Sequence, residues 1–146
     1  MKSGLDQDAI DLAEDARRML VELDHEVPGA ATLTAECRPP LDVFETADDL
    51  EVLVDVPGVP PACLRVAIRR NTLVVVGAKL AAAGDPDGRC HLAERSYGRF
   101  ARAIRLAGAV DVTRARAAAA AGELRITLPR LEDRRGSMLV IPVERG

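Results

Sequence analysis

Cys37, Cys63 and Cys90, with His25 and His91, are the side chains of this sequence best equipped for nucleophilic or metal chemistry, and their spacing supports neither. The cysteines are widely separated, odd in number and include no C-x-x-C pair, so a zinc site and a disulfide framework are both poor readings. Each reads as a small, partly buried thiol. The histidines fall in different segments and form no pair for a metal or for acid–base work; a surface or capping position suits each. Asp85-Pro86-Asp87-Gly88 begins like a calcium loop but lacks the later oxygen ligands and the closing glutamate, and a tight turn accounts for it. Ser3, Ser96 and Ser137 have no nucleophile context, and no phosphate-binding glycine loop, dinucleotide fingerprint or H-E-x-x-H occurs. The sequence predicts no enzyme, no cofactor and no nucleotide-driven step.

Composition narrows the partners. The chain has 146 residues, a formal net charge of −3 and 48% apolar residues, which suits one globular domain with a real core. Its apolar content is almost all aliphatic: Trp is absent, and Tyr97, Phe44 and Phe100 are the only rings. Single-stranded nucleic acid needs aromatic platforms and a basic groove, and duplex needs a positive field, so nucleic acid is excluded as a partner. No apolar run reaches the roughly 18–20 residues of a membrane span. Met1 to Asp8 is acidic where a secretory signal would be basic and then greasy. The expectation is a soluble, cytoplasmic protein.

Period and charge divide the chain at Pro28-Gly29. The first 27 residues hold eight carboxylates against Lys2, Arg17 and Arg18. Within them Leu5, Ala9, Leu12, Ala16, Met19 and Leu23 recur at helical spacing, with Ile10, Ala13, Leu20 and Val21 widening the stripe. Ser3 and Asp6 fit a capping box, so a helix over about residues 4–27 is predicted. That helix needs a surface against which to bury its stripe, and its own domain is one possibility. Residues 30–40 read as a linker. Beyond Leu41 the period is two. Leu50 to Val56, Leu64 to Arg69, Leu73 to Val76, Phe100 to Leu106 and Leu124 to Leu128 read as strands separated by turns such as Pro57-Gly58 and Arg70-Asn71. With no helices between the strands, the pattern predicts an antiparallel β-sandwich. Ala117 to Ala121 has helical propensity but is too short to nucleate a helix, and is assigned as a weak strand whose small side chains leave room for something to lie against it.

Several segments together resemble one family. Leu41-Asp42-Val43-Phe44-Glu45-Thr46, Asp55-Val56-Pro57-Gly58-Val59 and Asn71-Thr72-Leu73-Val74-Val75-Val76-Gly77 look like the first half of an α-crystallin domain. Glu94-Arg95-Ser96-Tyr97-Gly98-Arg99-Phe100-Ala101-Arg102 resembles the family's E-R-x-Y-G-x-F-x-R, and Ala117 to Arg130 its A-x-x-x-x-G-x-L-x-I-x-x-P-K signature, with Arg130 in place of lysine. Ile141-Pro142-Val143 looks like the I-x-I/V motif that follows the domain; Leu139-x-Ile141 is a second register, less favoured by the position of Pro142 and Glu144. On these residues the chain resembles a small heat-shock protein.

That resemblance implies an immunoglobulin-like α-crystallin sandwich over residues 41–131, a helical arm over 1–40 and an extension over 132–146. It implies a chaperone that, without ATP, holds partly unfolded client proteins and keeps them from aggregating under stress. It implies dimers that assemble into larger homo-oligomers. Ile141, Pro142 and Val143 would dock in a neighbour's groove between the strand of Leu64, Val66 and Ile68 and the segment of Ala115, Ala117 and Ala119. Arg89-Cys90-His91-Leu92 would cross to the neighbouring subunit, with Arg102 near that contact, either paired with a carboxylate or left as a solvated strand-face charge. The arm, which lacks the phenylalanines of many relatives, would grip clients through Leu5, Ile10, Leu12, Met19, Leu20 and Leu23. A co-chaperone or adaptor with a CS domain, or a purely structural assembly protein, are the alternative readings.

Overall fold

The computed structural model describes residues 4–30, 37–81, 84–131 and 141–143. Ser3, Leu139, Glu144 and the linker over 31–36 lie outside the described residues, as do the side chains of Leu5 and Asp6. Among the described residues one helix, α1 (Gly4–Glu26), precedes seven strands: β1 (Leu41–Glu45), β2 (Asp49–Asp55), β3 (Leu64–Arg69), β4 (Thr72–Lys79), β5 (Gly98–Arg105), β6 (Arg116–Ala120) and β7 (Glu123–Pro129). Short 3-10 turns at Pro61–Cys63 and Val112–Arg114 lead into β3 and β6.

All pairings are antiparallel, and the strands form a four-stranded sheet in the order β1-β2-β7-β6 and a three-stranded sheet in the order β3-β4-β5. Alternation puts Leu50, Val52 and Val54 of β2 and Leu124, Ile126 and Leu128 of β7 inside, against Leu73, Val75 and Phe100 of the other sheet. The structure is thus a β-sandwich, with four edge strands: β1, β6, β3 and β5.

Turn chemistry fixes the corners. Val56-Pro57-Gly58-Val59 closes with Val59 N donating to Val56 O at 3.1 Å, and Gly58 at φ 77° takes the left-handed position that such a turn requires. The β6–β7 hairpin turns on Ala121 and Gly122, at φ 53° and 78°, the paired positive values that match strand twist. Ala117 to Ala120 are therefore strand despite their helical propensity, and Ala121 is the turn: β7 pairs with β6 along the whole register from Arg116↔Thr127 to Ala120↔Glu123.

β4 is buried on both faces. Leu73 and Val75 face the sandwich interior, while Val74 and Val76, only 1% and 0% exposed, face the opposite way. On that outer side runs α1, in contact with β4 and β3. Leu23 is fully buried, and Val27 and Ala30 follow it into the core. Ile10 and Val21 do not extend the docked stripe; both are exposed on the back of the helix.

Ion pairs hold the helix on both flanks. Arg69 of β3 donates to both carboxylate oxygens of Asp15, at 3.0 and 2.9 Å, and lies 3.8 Å from Asp11. Arg65 of β3 pairs with Glu26, and Arg99 of β5 lies 3.2 Å from Asp24. The hydrogen bonds that Arg69 donates to Asp15 raise its guanidinium above the ordinary pKa, with the charge of Asp15 and then Asp11 adding to them.

Candidate functional site: a groove between two sheet edges

The edges of β3 and β6 face each other across a groove of about 220 Å³. Val66, Ala67 and Ile68 form one wall, and Val112, Ala115, Arg116 and Ala117 form the other. Its floor is Ile126 and Leu128 of β7. These two residues pair inside the sheet, and the alanines of β6 are too small to cover the space beside them: Ala117 stands opposite Ile126 and Ala119 opposite Leu124. The groove is therefore a consequence of the alanine run. A larger residue at Ala117 would fill it.

The 3-10 turn before β6 shapes one end. Asp111 caps it: Thr113 N donates to Asp111 Oδ1 at 3.1 Å and Thr113 Oγ1 donates to the same oxygen at 2.6 Å. The side-chain bond from Thr113 holds the Asp111 carboxyl below its ordinary pKa. The cap is complete above the unfolded carboxylate pKa and is lost as pH falls through the depressed one.

The structure brings Val66, Ile68, Ala115 and Ala117 together and leaves two expected residues out. Leu64 is buried at the start of β3, paired with Gly77, and Ala119 packs partly buried against the core; neither lines the groove. Val112, Ile126 and Leu128 were not expected there. Val112, a large apolar residue shortly before the alanines, was the available signal. The tail residues Ile141 and Val143 are 81% and 97% exposed.

At the other end of the sandwich β1 presents a free edge, with Val43 and Phe44 exposed. Arg89 to Leu92 forms no strand here and stands in solvent, Leu92 being 76% exposed. Among the described residues Arg102 pairs with no carboxylate: its Nη1 donates to the carbonyl of Pro39 at 2.7 Å, because its face of β5 turns toward the chain entering β1. Arg130, an exposed charge just after β7, reaches Glu45 of β1 at 2.9 Å and donates to the Thr46 carbonyl at 3.2 Å.

Of the arm stripe, Leu12, Met19 and Leu20 are half-buried and Leu23 is wholly buried, so among the described side chains of the expected client-gripping set Ile10 is the one open to solvent in the docked position. In this docked position the sheet covers Leu23 completely.

Residues 42–144 match the model of the Hsp20/alpha crystallin family. The chain belongs to that family. An 18 kDa heat shock protein of Streptomyces albus G is 30% identical over 115 residues, 79% of this chain and 80% of that protein. The solved structure of heat shock protein 16.0 from Schizosaccharomyces pombe superposes with a TM-score of 0.64 at 28% identity, covering 75% of this chain and all of that one. The small heat-shock protein of Xylella fastidiosa, described as having a distinct high-order structure, shares the fold at a TM-score of 0.61 and 24% identity. The family's members are chaperones rather than enzymes, which supports a general chaperone role for this chain. Among the described residues no group of side chains could hold a metal, and no helix is long and apolar enough to cross a membrane.

The thiols of this family member differ in setting. Cys63 is buried and Cys37 half-buried, and desolvation raises both pKa values, opposed by Arg65 at the first and by Lys79 at the second. Cys90 is exposed. Thiolate is the reactive form, so iodoacetamide at neutral pH should alkylate Cys90 at least about tenfold faster than Cys37 or Cys63, with the Cys37 rate climbing as pH rises. Peptide mass spectrometry over a time course reads the order; equal rates would mean that these burials do not persist in solution.

Proposed function

We propose that the chain is an ATP-independent holdase that binds partly unfolded proteins in the cytoplasm and prevents their aggregation under heat or similar stress. The observation that carries the reading is the groove between β3 and β6, matched on the same chain by an exposed Ile141-Pro142-Val143. Side chains two apart share a face of an extended segment, so Ile141 and Val143 can enter one groove together, with Pro142 keeping the segment extended. Docking in trans would link dimers into larger assemblies. The dimers would form by addition of Arg89-Cys90-His91-Leu92 to the free β1 edge of a second copy, as strand addition to an open edge allows. The arm, the sandwich and the extension then divide the work: client contact, scaffold and linkage.

Each tail contact is weak, because ordering the tail offsets much of the gain from two buried aliphatic side chains, and strength comes from many contacts in one assembly. Warming loosens such an assembly and opens its grooves to apolar client segments. A bound client is held by mass action alone.

Light scattering from a heat-stressed client protein tests this. An equal ratio of subunits to client, with no nucleotide present, should suppress most of the scattering. Scattering identical to that of client alone would refute the holdase reading and leave a purely structural role.

A further inference from the structure

We propose that the outer face of the β3-β4-β5 sheet is a docking surface for acidic amphipathic helices from other chains, and that α1 is its built-in competitor. The surface has a defined chemistry. The pairings Arg65↔Val76 and Ala67↔Val74 on one side, and Val74↔Ala103, Val76↔Ala101 and Ala78↔Arg99 on the other, put an apolar strip on β4 between basic rails. Arg65 and Arg69 form the β3 rail, and Arg99 stands on the β5 side. Alanines at 67, 101 and 103 leave the strip low enough for a helix to lie along it.

The helix that occupies the surface shows what it selects. With 3.6 residues per turn, Leu12, Ala16, Met19 and Leu23 line the underside of α1, Asp11, Asp15 and Glu26 its β3 flank, and Asp24 the opposite flank. Each flank meets the arginines on its own side. The spacing also agrees: Asp15 to Glu26 rises about 16 Å at helical pitch, and Arg65 to Arg69 spans about 13 Å at strand pitch. A partner therefore needs an apolar stripe with carboxylates on both sides of it.

The resident is not held to its limit. The Arg99–Asp24 pair leaves Arg99 Nε and Asp24 Oδ1 buried without a hydrogen-bond partner among the described residues. The ion pairs are partly exposed, where water and salt screen them. A helix seated this way exchanges with a competitor of like chemistry.

The experiment titrates a fluorescein-labelled peptide of the Gly4–Glu26 sequence with the full-length chain and reads anisotropy. The unaltered chain should bind it weakly, since the resident competes. A chain carrying Asp15→Arg and Asp24→Arg weakens only its own helix and should bind the peptide at least about tenfold more tightly, the conformational cost of displacement having been removed. A chain carrying Arg69→Glu and Arg99→Glu should lose the acidic peptide. It should bind instead a peptide in which Asp15 and Asp24 are arginine, which also shows that its sheet is folded. Equal affinity of the original peptide for the unaltered chain and the Asp15→Arg/Asp24→Arg chain would overturn the proposal. So would failure of the exchanged peptide to bind the Arg69→Glu/Arg99→Glu chain. Client protection plays no part in the readout, so this surface and the holdase reading stand or fall separately.

Discussion

If the tail docks as proposed, a chain carrying Ile141→Ala and Val143→Ala together should sediment as dimers or other small species, well below the size of the unaltered chain at the same concentration. Full burial of an aliphatic side chain of this size is worth about 1.5–3 kcal/mol. Truncating both to alanine removes most of that, roughly 2–4 kcal/mol per tail, which weakens one docking contact by about 30- to 1,000-fold. An assembly joined by many such contacts is more sensitive still, because each lost contact lowers the effective concentration that holds the others in place. The two side chains are almost fully exposed on the isolated chain, so the substitution takes nothing from the fold of the subunit. Sedimentation velocity reads the size, and the thermal midpoint of the subunit serves as the control that should not move. An unchanged size would mean that arm and crossing segment hold the assembly by themselves.

Much of this framework was legible in the sequence, for a physical reason. β2 and β7 are each covered on one face and solvated on the other, so burial writes a clean alternation into Leu50 to Val54 and Leu124 to Leu128. β4 is different: its unbroken Leu73-Val74-Val75-Val76 run reflects two covered faces, one under the other sheet and one under α1. The stripe on α1 was equally plain, but its seat was not. Arg65, Arg69 and Arg99 look like ordinary solvent-facing charges of a strand until the register sets them on one face opposite Asp15, Asp24 and Glu26. The groove shows the same limit. Small residues at Ala115 and Ala117 suggested a space, whereas its floor, Ile126 and Leu128, was hidden among residues already assigned to the core. Arg102 illustrates the remainder: nothing local signals that its guanidinium reaches a backbone carbonyl at Pro39, far away along the chain.

The same dependence on register makes Gly77 the position where the smallest change should cost the subunit most. Gly77 pairs with Phe100 across β4 and β5, and the ring lies over the glycine. A Cβ at this position would come within 2.3 Å of Phe100 Cζ and 2.9 Å of the Cys63 carbonyl oxygen. The ring can turn aside at the expense of its own packing; the carbonyl belongs to the backbone that leads into β3 and has little freedom. Gly77→Ala should therefore destabilise the subunit by about 1–3 kcal/mol, the usual range for overpacking a core. For a domain of this size that lowers the thermal midpoint by roughly 3–12 °C. Phe100→Leu removes the nearer clash while leaving the carbonyl, so the Gly77→Ala/Phe100→Leu pair should lose less than the sum of the two single changes, by about 0.5 kcal/mol or more. Urea unfolding of the four chains reads the coupling. Strict additivity would mean that the backbone at Cys63, and not the ring, sets the requirement for glycine; a neutral Gly77→Ala would mean that β4 and β5 are not held in this register at all.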